Sequence, residues 1–379
     1  MQVVYVAATG QNVGKTTVAM GLVHHLVEQG LSVRFFKPVG QHSVAQGGVK
    51  VDHDAVLMQS AFSLPGELTD INPLAVPQGF IEDYILNRDP EPLRACILDS
   101  YQRLCEGCDV MVVEGTGHAG VGASIDLSNA EVAAMLGAKV LLVIEGGVGA
   151  TLDQTALNLV MYKARNVDVL GVVANKVPAD DLKEQTSLLT QGVRNLGYRL
   201  LGAIPFEAQF TYPRVRQAAE VLQAEILCGQ DSLDRRVNFI LIAAMGPQNV
   251  LPRLEPRTLM ITPGDRVDNI LVALFAAPTC ADDLTCVRTR HRTGLVACVT
   301  GLILTCGLIP HFTIVALLKN SNLPVLLCNG STYEVSSRLQ SVVFKTLPED
   351  TDRIRRTRDL VRDHMDMDRL WACTQVASV

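Results

Sequence analysis

One stretch near the amino terminus limits this chain more than any other: Val3–Val4–Tyr5–Val6, then Thr9–Gly10–Gln11–Asn12–Val13–Gly14–Lys15–Thr16–Thr17. The β-branched and aromatic run reads as a fully buried strand. It breaks at Ala8–Thr9–Gly10, and after Thr17 apolar residues return at helical spacing through Leu22. Strand, phosphate loop, helix is the order this implies. Glycines let backbone N–H groups approach and wrap phosphate oxygens, and the amides of a helix amino terminus favour the anion. Lys15 would place positive charge at the β/γ end of a nucleotide, and the Thr16 hydroxyl can reach a magnesium ion. Gly10, Asn12, Val13, Gly14, Lys15, Thr16 and Thr17 are the candidate nucleotide-binding residues. The spacing departs from the strict pattern, because Gly10 precedes Gly14 by four positions and Thr9 holds the expected fifth. Gly-Lys-Thr-Thr in a strand-to-helix context still carries the reading.

Length and composition bound what can surround that loop. At 379 residues the chain exceeds one ordinary domain and fits two, and 48% hydrophobic residues are ample for buried cores. A formal net charge of −6 argues against a polyanion partner, so no nucleic acid is expected. The chain enters a core strand at once with no basic leader, which reads as cytoplasmic. Its ten cysteines are scattered, and Cys298, Cys306 and Cys328 fall in apolar segments as small buried hydrophobes. Cys105 and Cys108 form one C-x-x-C pair without a second pair or nearby histidines, so zinc is not expected.

The segment from Leu295 to Leu318 tests the soluble reading, since it is apolar and follows Arg288, Arg290 and Arg292 like a membrane span after its flank. Gly301, Gly307, Pro310 and His311 interrupt it. Leu302–Leu304 running into Thr305–Cys306–Gly307 reads as a buried strand and turn, with a short helix from Thr313 to Lys319. No membrane span is expected.

Along the first part of the chain, chemistry-bearing residues recur at the carboxyl ends of apolar runs. Ser32 to Phe36 is a second buried strand that delivers Lys37, followed by Pro38, to the crevice where open α/β sheets bind ligands. After a polar loop from Gln41 to Gly48, Asp52 and Asp54 stand at a helix start, where a carboxylate can be a cap or a magnesium ligand. Asp109 to Val113 is a strand ending in Glu114, beside the glycine-rich turn Gly115–Thr116–Gly117–His118. An acidic residue there can hold a metal directly or through water. His118 is either a phosphate contact or a solvated loop residue. Lys139 to Ile144 and Val167 to Val173 are further strands, the latter closed by Asn175–Lys176; an asparagine there can read a purine edge or simply form a turn. Strands alternating with helices at this rhythm imply a doubly wound, mostly parallel α/β sheet.

The pattern restarts near Arg236 with strands at Phe239–Ala244, Thr258–Ile261, Leu302–Leu304 and Val325–Cys328, and a helix from Asp268 to Phe275. This predicts a second, smaller α/β domain with polar turns at its strand ends. The expected organisation is a nucleotide-binding domain over residues 1–215, a linker helix over 216–235, the smaller domain over 236–345 and a helical tail over 346–379. A helix is read from Gln217 to Leu227, an exposed insertion over 278–294, and a solvated helix from Glu349 to Trp371.

Taken together, the loop at Thr9–Thr16, Phe36–Lys37–Pro38–Val39, Asp52–His53–Asp54–Ala55, Val113–Glu114–Gly115–Thr116–Gly117 and Asn175–Lys176 resemble, in order, the dethiobiotin synthetase-like P-loop proteins over residues 1 to about 210. Ile261–Thr262–Pro263–Gly264–Asp265–Arg266 and Leu304–Thr305–Cys306–Gly307 resemble a DRTGG domain. The pairing is similar to the N-terminal portion of long bacterial phosphate acetyltransferases, without the acyltransferase domain that would follow. The resemblance implies ATP and Mg2+ as cofactors, with Lys15 and Thr16 on the phosphates and metal. Asp54 and Glu114 would complete the metal site with Thr16, Lys37 would face the γ-phosphate or substrate, and Asn175 would touch the adenine. Lys37 and Lys15 are its catalytic candidates. Departures at Asn12, near Gln41 and after Glu114 fall where the synthetase shapes its diaminated substrate pocket, which points away from dethiobiotin formation. A homodimer, and a small-molecule ligand at the DRTGG-like domain, are implied by the same analogy.

Three functions follow as expectations. A regulatory protein would bind ATP and magnesium and couple nucleotide state to a ligand- or partner-binding DRTGG domain. An ATP-dependent ligase would activate a carboxylate or amine, with Lys37 and the loop stabilising a transferring phosphoryl group. A structural dimerisation module would carry a vestigial loop.

Overall fold

Parallel pairing decides where the strand-end residues go. The computed structural model describes residues 1–41, 43–46, 48–77, 79–277 and 298–375. Two compact units divide the chain: Met1–Phe206 with the segment from Thr346 onward, and Glu207–Lys345.

In the first unit, β1 (Gln2–Ala8) leads to α1 (Lys15–Glu28), β2 (Val33–Phe36), α2 (His53–Phe62), α3 (Glu91–Cys105) and β3 (Val110–Glu114). Then follow α4 (Asn129–Met135), β4 (Lys139–Glu145), α5 (Gly149–Ala164), β5 (Val169–Val177), α6 (Leu182–Asn195) and β6 (Leu200–Pro205). The strands form a parallel sheet in the order β6-β5-β4-β1-β3-β2. Helices cover both faces, so the strands read as continuous apolar runs; every residue of β3 is buried. The chain steps outward from β1 to β2, returns through β3 and crosses to the far side of β1 for β4. That reversal gathers the carboxyl ends of β1, β3 and β4 around one crevice, with β2 and β5 beside them. Within the stretch read as a polar loop, Ser43–Gln46 instead pairs antiparallel with Val49–Asp52 and delivers the chain to α2.

The second unit holds α7 (Val215–Leu222), β7 (Glu225–Cys228), β8 (Phe239–Ile242), β9 (Thr258–Pro263), α8 (Val267–Phe275), β10 (Val299–Thr305), α9 (Phe312–Lys319), β11 (Val325–Leu327) and α10 (Thr332–Ser341). Its sheet runs β7-β11-β10-β9-β8, with β7 antiparallel at the edge and the rest parallel. Ile270, Ala273 and Leu318 pack α8 and α9 on one face, while Val215, Leu222, Val335 and Leu339 pack α7 and α10 on the other. The fold class is thus the expected α/β pair, and the apolar segment before Leu318 is strand, turn and helix. Among the described residues no helix is long and apolar enough to cross a membrane. The insertion read over 278–294, with Arg288, Arg290 and Arg292, lies outside the described residues.

Two expectations are corrected. The linker helix over 216–235 is core: Val215, Ala218, Ala219 and Leu222 are buried in the second unit. Gln223 then adopts a left-handed φ of 51° that ends the helix, and Glu225–Cys228 becomes an edge strand. No glycine marks that stop, so helical spacing alone carries the pattern on to Leu227.

The tail is not a solvated helix either. It forms α11 (Thr351–His364) and α12 (Met367–Gln375), and α11 buries Ile354, Thr357, Leu360 and Val361. It lies so close to α1 that a Cβ on Gly21 would stand 2.3 Å from Val361. Met365 bridges Gly202 at the sheet edge, and Asp366 N–H donates to Leu201 O at 2.8 Å. Alternating charge hid an apolar stripe at helical spacing.

These contacts fix two expected outcomes. Alanine favours a helix over glycine by about 1 kcal/mol, whereas overlap with packed neighbours costs about 1–3 kcal/mol. Gly21→Ala should therefore lower stability in urea melts, and Val361→Ala in the same chain should shrink that penalty in a double-mutant cycle. Burial and the neighbouring Arg358 guanidinium hold His24 below the ordinary imidazole value. A lowered folded-state value gives stability that is present above about pH 6.5 and lost as pH falls. Thermal melts of His24→Gln should show a flatter loss on acidification than the natural chain.

Candidate functional site

The loop between β1 and α1 needs two left-handed residues, Asn12 at φ 57° and Gly14 at φ 109°. Asparagine tolerates that region; at position 14 nothing but glycine fits, because an added Cβ would lie 1.9 Å from Asn175 Nδ2. From the end of β5, Asn175 donates to Val13 O at 2.8 Å and Lys176 Nζ donates to Asn12 O. With those carbonyls drawn outward to β5, the loop peptides are held in one orientation. Lys15 opens α1, is buried, and donates to Gly10 O at 3.2 Å and Gly117 O at 3.4 Å. It thereby bridges the phosphate loop and the turn that follows β3. Thr17 continues the first helical turn, whose amides have no acceptor within the helix itself.

Beside the loop lies a buried cluster of charge. Glu114 ends β3 at 1% exposure, and its Oε1 accepts from the Thr16 hydroxyl at 2.9 Å and from Lys37 Nζ at 2.8 Å. Lys37 Nζ also donates to Asp54 Oδ2 at 3.0 Å and to Gly115 O at 3.5 Å. Glu114 Oε2 is buried with no hydrogen-bond partner among the described residues. Burial works to lower the Lys37 value, but the charges of Glu114, Asp54 and Asp52 outweigh it and hold the ammonium above its usual range. Burial raises the Glu114 carboxyl, with Asp54 adding to the rise and Lys37 opposing it. Both directions have one cause: a single ammonium stands among several carboxylates in a dry place.

The two aspartates divide their labour. Asp52 Oδ1 caps α2 by accepting from Asp54 N–H at 2.9 Å, and its Oδ2 accepts from Gln41 N–H at 3.0 Å. Asp54 is the one that faces Lys37. Asn72 ties them together, donating to Lys37 O at 2.7 Å and accepting from Asp52 N–H at 2.8 Å.

Sequence reasoning did not single out Asn72, nor Asn129 at the start of α4. Asn129 Oδ1 accepts from Tyr5 Oη at 2.8 Å and Thr116 N–H at 3.0 Å, while its Nδ2 donates to Thr116 O and His118 O, each at 2.6 Å. It clamps the turn after β3. Neither asparagine has a neighbouring motif; each is recognised only through long-range partners. His118 is exposed and accepts from Gly120 N–H at 3.1 Å within its own turn. A pocket lies beside Thr116, walled by Val39, Gln41, Ile81, Val121 and Ile125.

The donor set can be tested against a metal ion. Among the described residues no group of three or more His, Cys, Asp or Glu side chains gathers to hold one. A hydroxyl and two carboxylates, one of them Glu114 with its orphaned Oε2, do suit magnesium, which takes few protein oxygens and completes its shell with phosphate and water. Thr16, Asp54 and Glu114 would hold it.

A family model described as an AAA domain matches residues 2–214, and a DRTGG domain model matches residues 217–342. The phosphate acetyltransferase of Pseudomonas putida is 32% identical over 97% of this chain and 51% of its own length; that of Nitrosomonas europaea is 28% identical over 96% and 50%. The chain spans about half the length of the curated relatives it matches. Among solved structures, the MinD cell division protein of Aquifex aeolicus aligns at 14% identity with a TM-score of 0.35, over 55% of this chain and 84% of that one. The DRTGG resemblance and the relation to the N-terminal region of phosphate acetyltransferases therefore stand, and with more than half of its residues matched the chain belongs to the AAA domain family.

Proposed function

We propose that this chain is an ATP- and magnesium-binding regulatory protein, related to the N-terminal region of phosphate acetyltransferase, that couples nucleotide state to a ligand- or partner-binding DRTGG domain. One observation carries the reading: the Thr16 hydroxyl and the Lys37 ammonium converge on one oxygen of Glu114, whose other oxygen is buried without a partner among the described residues. In this reading the β- and γ-phosphates lie along Gly10–Thr17 with Lys15 between them. Thr16, Asp54 and Glu114 hold magnesium, which supplies charge neutralisation to the phosphates. Lys37 turns to the γ-phosphate, and Asn175 meets the adenine. The protein acts in the cytoplasm as a homodimer; Leu157 and Val160, exposed on one side of α5, support a covered apolar face.

The pocket beside Thr116 favours a second reading, an ATP-dependent ligase of the dethiobiotin synthetase-like class. Its largely apolar wall would seat an acceptor beside Thr116, in the turn that follows Glu114. Lys15 and Lys37 would then stabilise charge on the transferring phosphoryl group, with no covalent step on the protein.

Ligand that binds only the folded protein must stabilise it, by about 2.7 kcal/mol at a hundredfold excess over Kd. A thermal-shift screen with ATP, ADP and GTP, with and without magnesium, should show a magnesium-dependent rise with ATP. Lys15→Ala should erase that rise while the protein stays folded, and Glu114→Gln should remove the magnesium-dependent part. ADP release on adding a carboxylate or amine acceptor would select the ligase. No shift with any nucleotide would sink both readings and leave a vestigial loop.

A further inference from the structure

Lys37 presents its ammonium to the same oxygens that a divalent ion would use. Nζ stands 2.8 Å from Glu114 Oε1 and 3.0 Å from Asp54 Oδ2, and both carboxylates are buried. The Lys37 backbone cannot follow a moving side chain. Its N–H donates to Ile71 O at 2.7 Å, its carbonyl accepts from Asn72, and Pro38 stiffens the next step. The four-carbon stem is therefore the mobile part, swinging on an anchored Cα. A dication entering beside an ammonium in so dry a site is repelled unless the ammonium finds another anion. Polyphosphate is such an anion, and the loop that would hold it starts from the strand next to β3.

From this geometry we propose that Lys37 is an internal counter-cation that competes with free divalent metal for Glu114 and Asp54, and gives way when metal arrives together with nucleotide phosphate. The second half rests on the ATP–magnesium reading above; the competition itself rests on the three side chains. The consequence is that metal and nucleotide bind as a unit. Divalent ion without nucleotide meets carboxylates already paired with Lys37, and nucleotide without metal cannot draw the ammonium from two carboxylates at once.

The test is a Mn2+ titration of the full chain, followed by electron paramagnetic resonance without nucleotide. Lys37→Met and Lys37→Gln should each bind Mn2+ at least about tenfold more tightly than the natural chain, because the opposing charge is gone. Adding Glu114→Gln to Lys37→Met should abolish the gain, which places the ion at this site. Lys37→Met takes the ammonium away from two buried carboxylates and is expected to be less stable, so thermal melts supply an independent measure. Millimolar-range Mg2+ alone should restore its melting temperature and leave that of the natural chain unchanged. Variants that bind Mn2+ no more tightly and gain nothing from Mg2+ would overturn the proposal. If the variants gain metal but ATP with magnesium fails to stabilise the natural chain, the competition is upheld and the nucleotide reading falls. If ATP with magnesium stabilises the natural chain but the variants gain no metal, only the lysine proposal falls.

Discussion

The contact between the Lys37 ammonium and Glu114 is the constraint around which the first unit is arranged. Both groups are almost wholly removed from water. Desolvating an ion pair costs several kcal/mol per charge, and leaving one partner alone is worse, at about 3–5 kcal/mol. Such a pair persists only where the backbone on both sides is fixed. Glu114 is fixed by being the last residue of a strand paired on both edges. Lys37 follows the neighbouring strand β2 and is held through Ile71 and Asn72. Because β2 and β3 are adjacent and run the same way, the residues that close them stand side by side, and the lysine and the glutamate meet there.

The phosphate loop depends on this frame from the opposite side. Its carbonyls at Asn12 and Val13 are drawn to the end of β5, while Lys15 reaches the turn that Asn129 and Tyr5 hold. Gly14 is required by contact as well as by φ, since the Asn175 carboxamide occupies the place of a side chain. The loop is thus clamped between β5 and the turn after β3 through Asn175, Lys176 and Lys15.

What could be read from the amino-acid order was what local physics decides. An apolar run that ends in Glu114 or Lys37 announces a buried strand with a charged tip, and Gly-Lys-Thr after such a run announces its own loop. The division between Asp52 and Asp54 could not be read, because both suit a helix start and only Gln41 and Lys37, brought close by folding, tell them apart. Asn72 and Asn129 were illegible for the same reason; each earns its place through partners distant in the chain. Glu225–Cys228 is a strand because Val325–Leu327 offers it an edge, and its own residues permit either form. Where the partner is distant, propensity decides nothing.

The tail extends that lesson to the site itself. Arg358 on α11 meets His24 Nε2 at 3.1 Å and lies 5.8 Å from the Phe62 ring. His24 belongs to α1 and Phe62 to α2, the helices whose first turns carry Lys15, Thr16 and Asp54. A helix is stiff along its axis, so seating its far portion sets where its first residues stand. Two short helices that begin at the site would otherwise be positioned only by their contact with the sheet. By packing on α1 at Gly21 and reaching α2 through Arg358, α11 fixes the angle between them, and with it the separation of the hydroxyl on one from the carboxylate on the other. A segment that follows the second unit in sequence is in this way part of the scaffold that spaces the charges of the first.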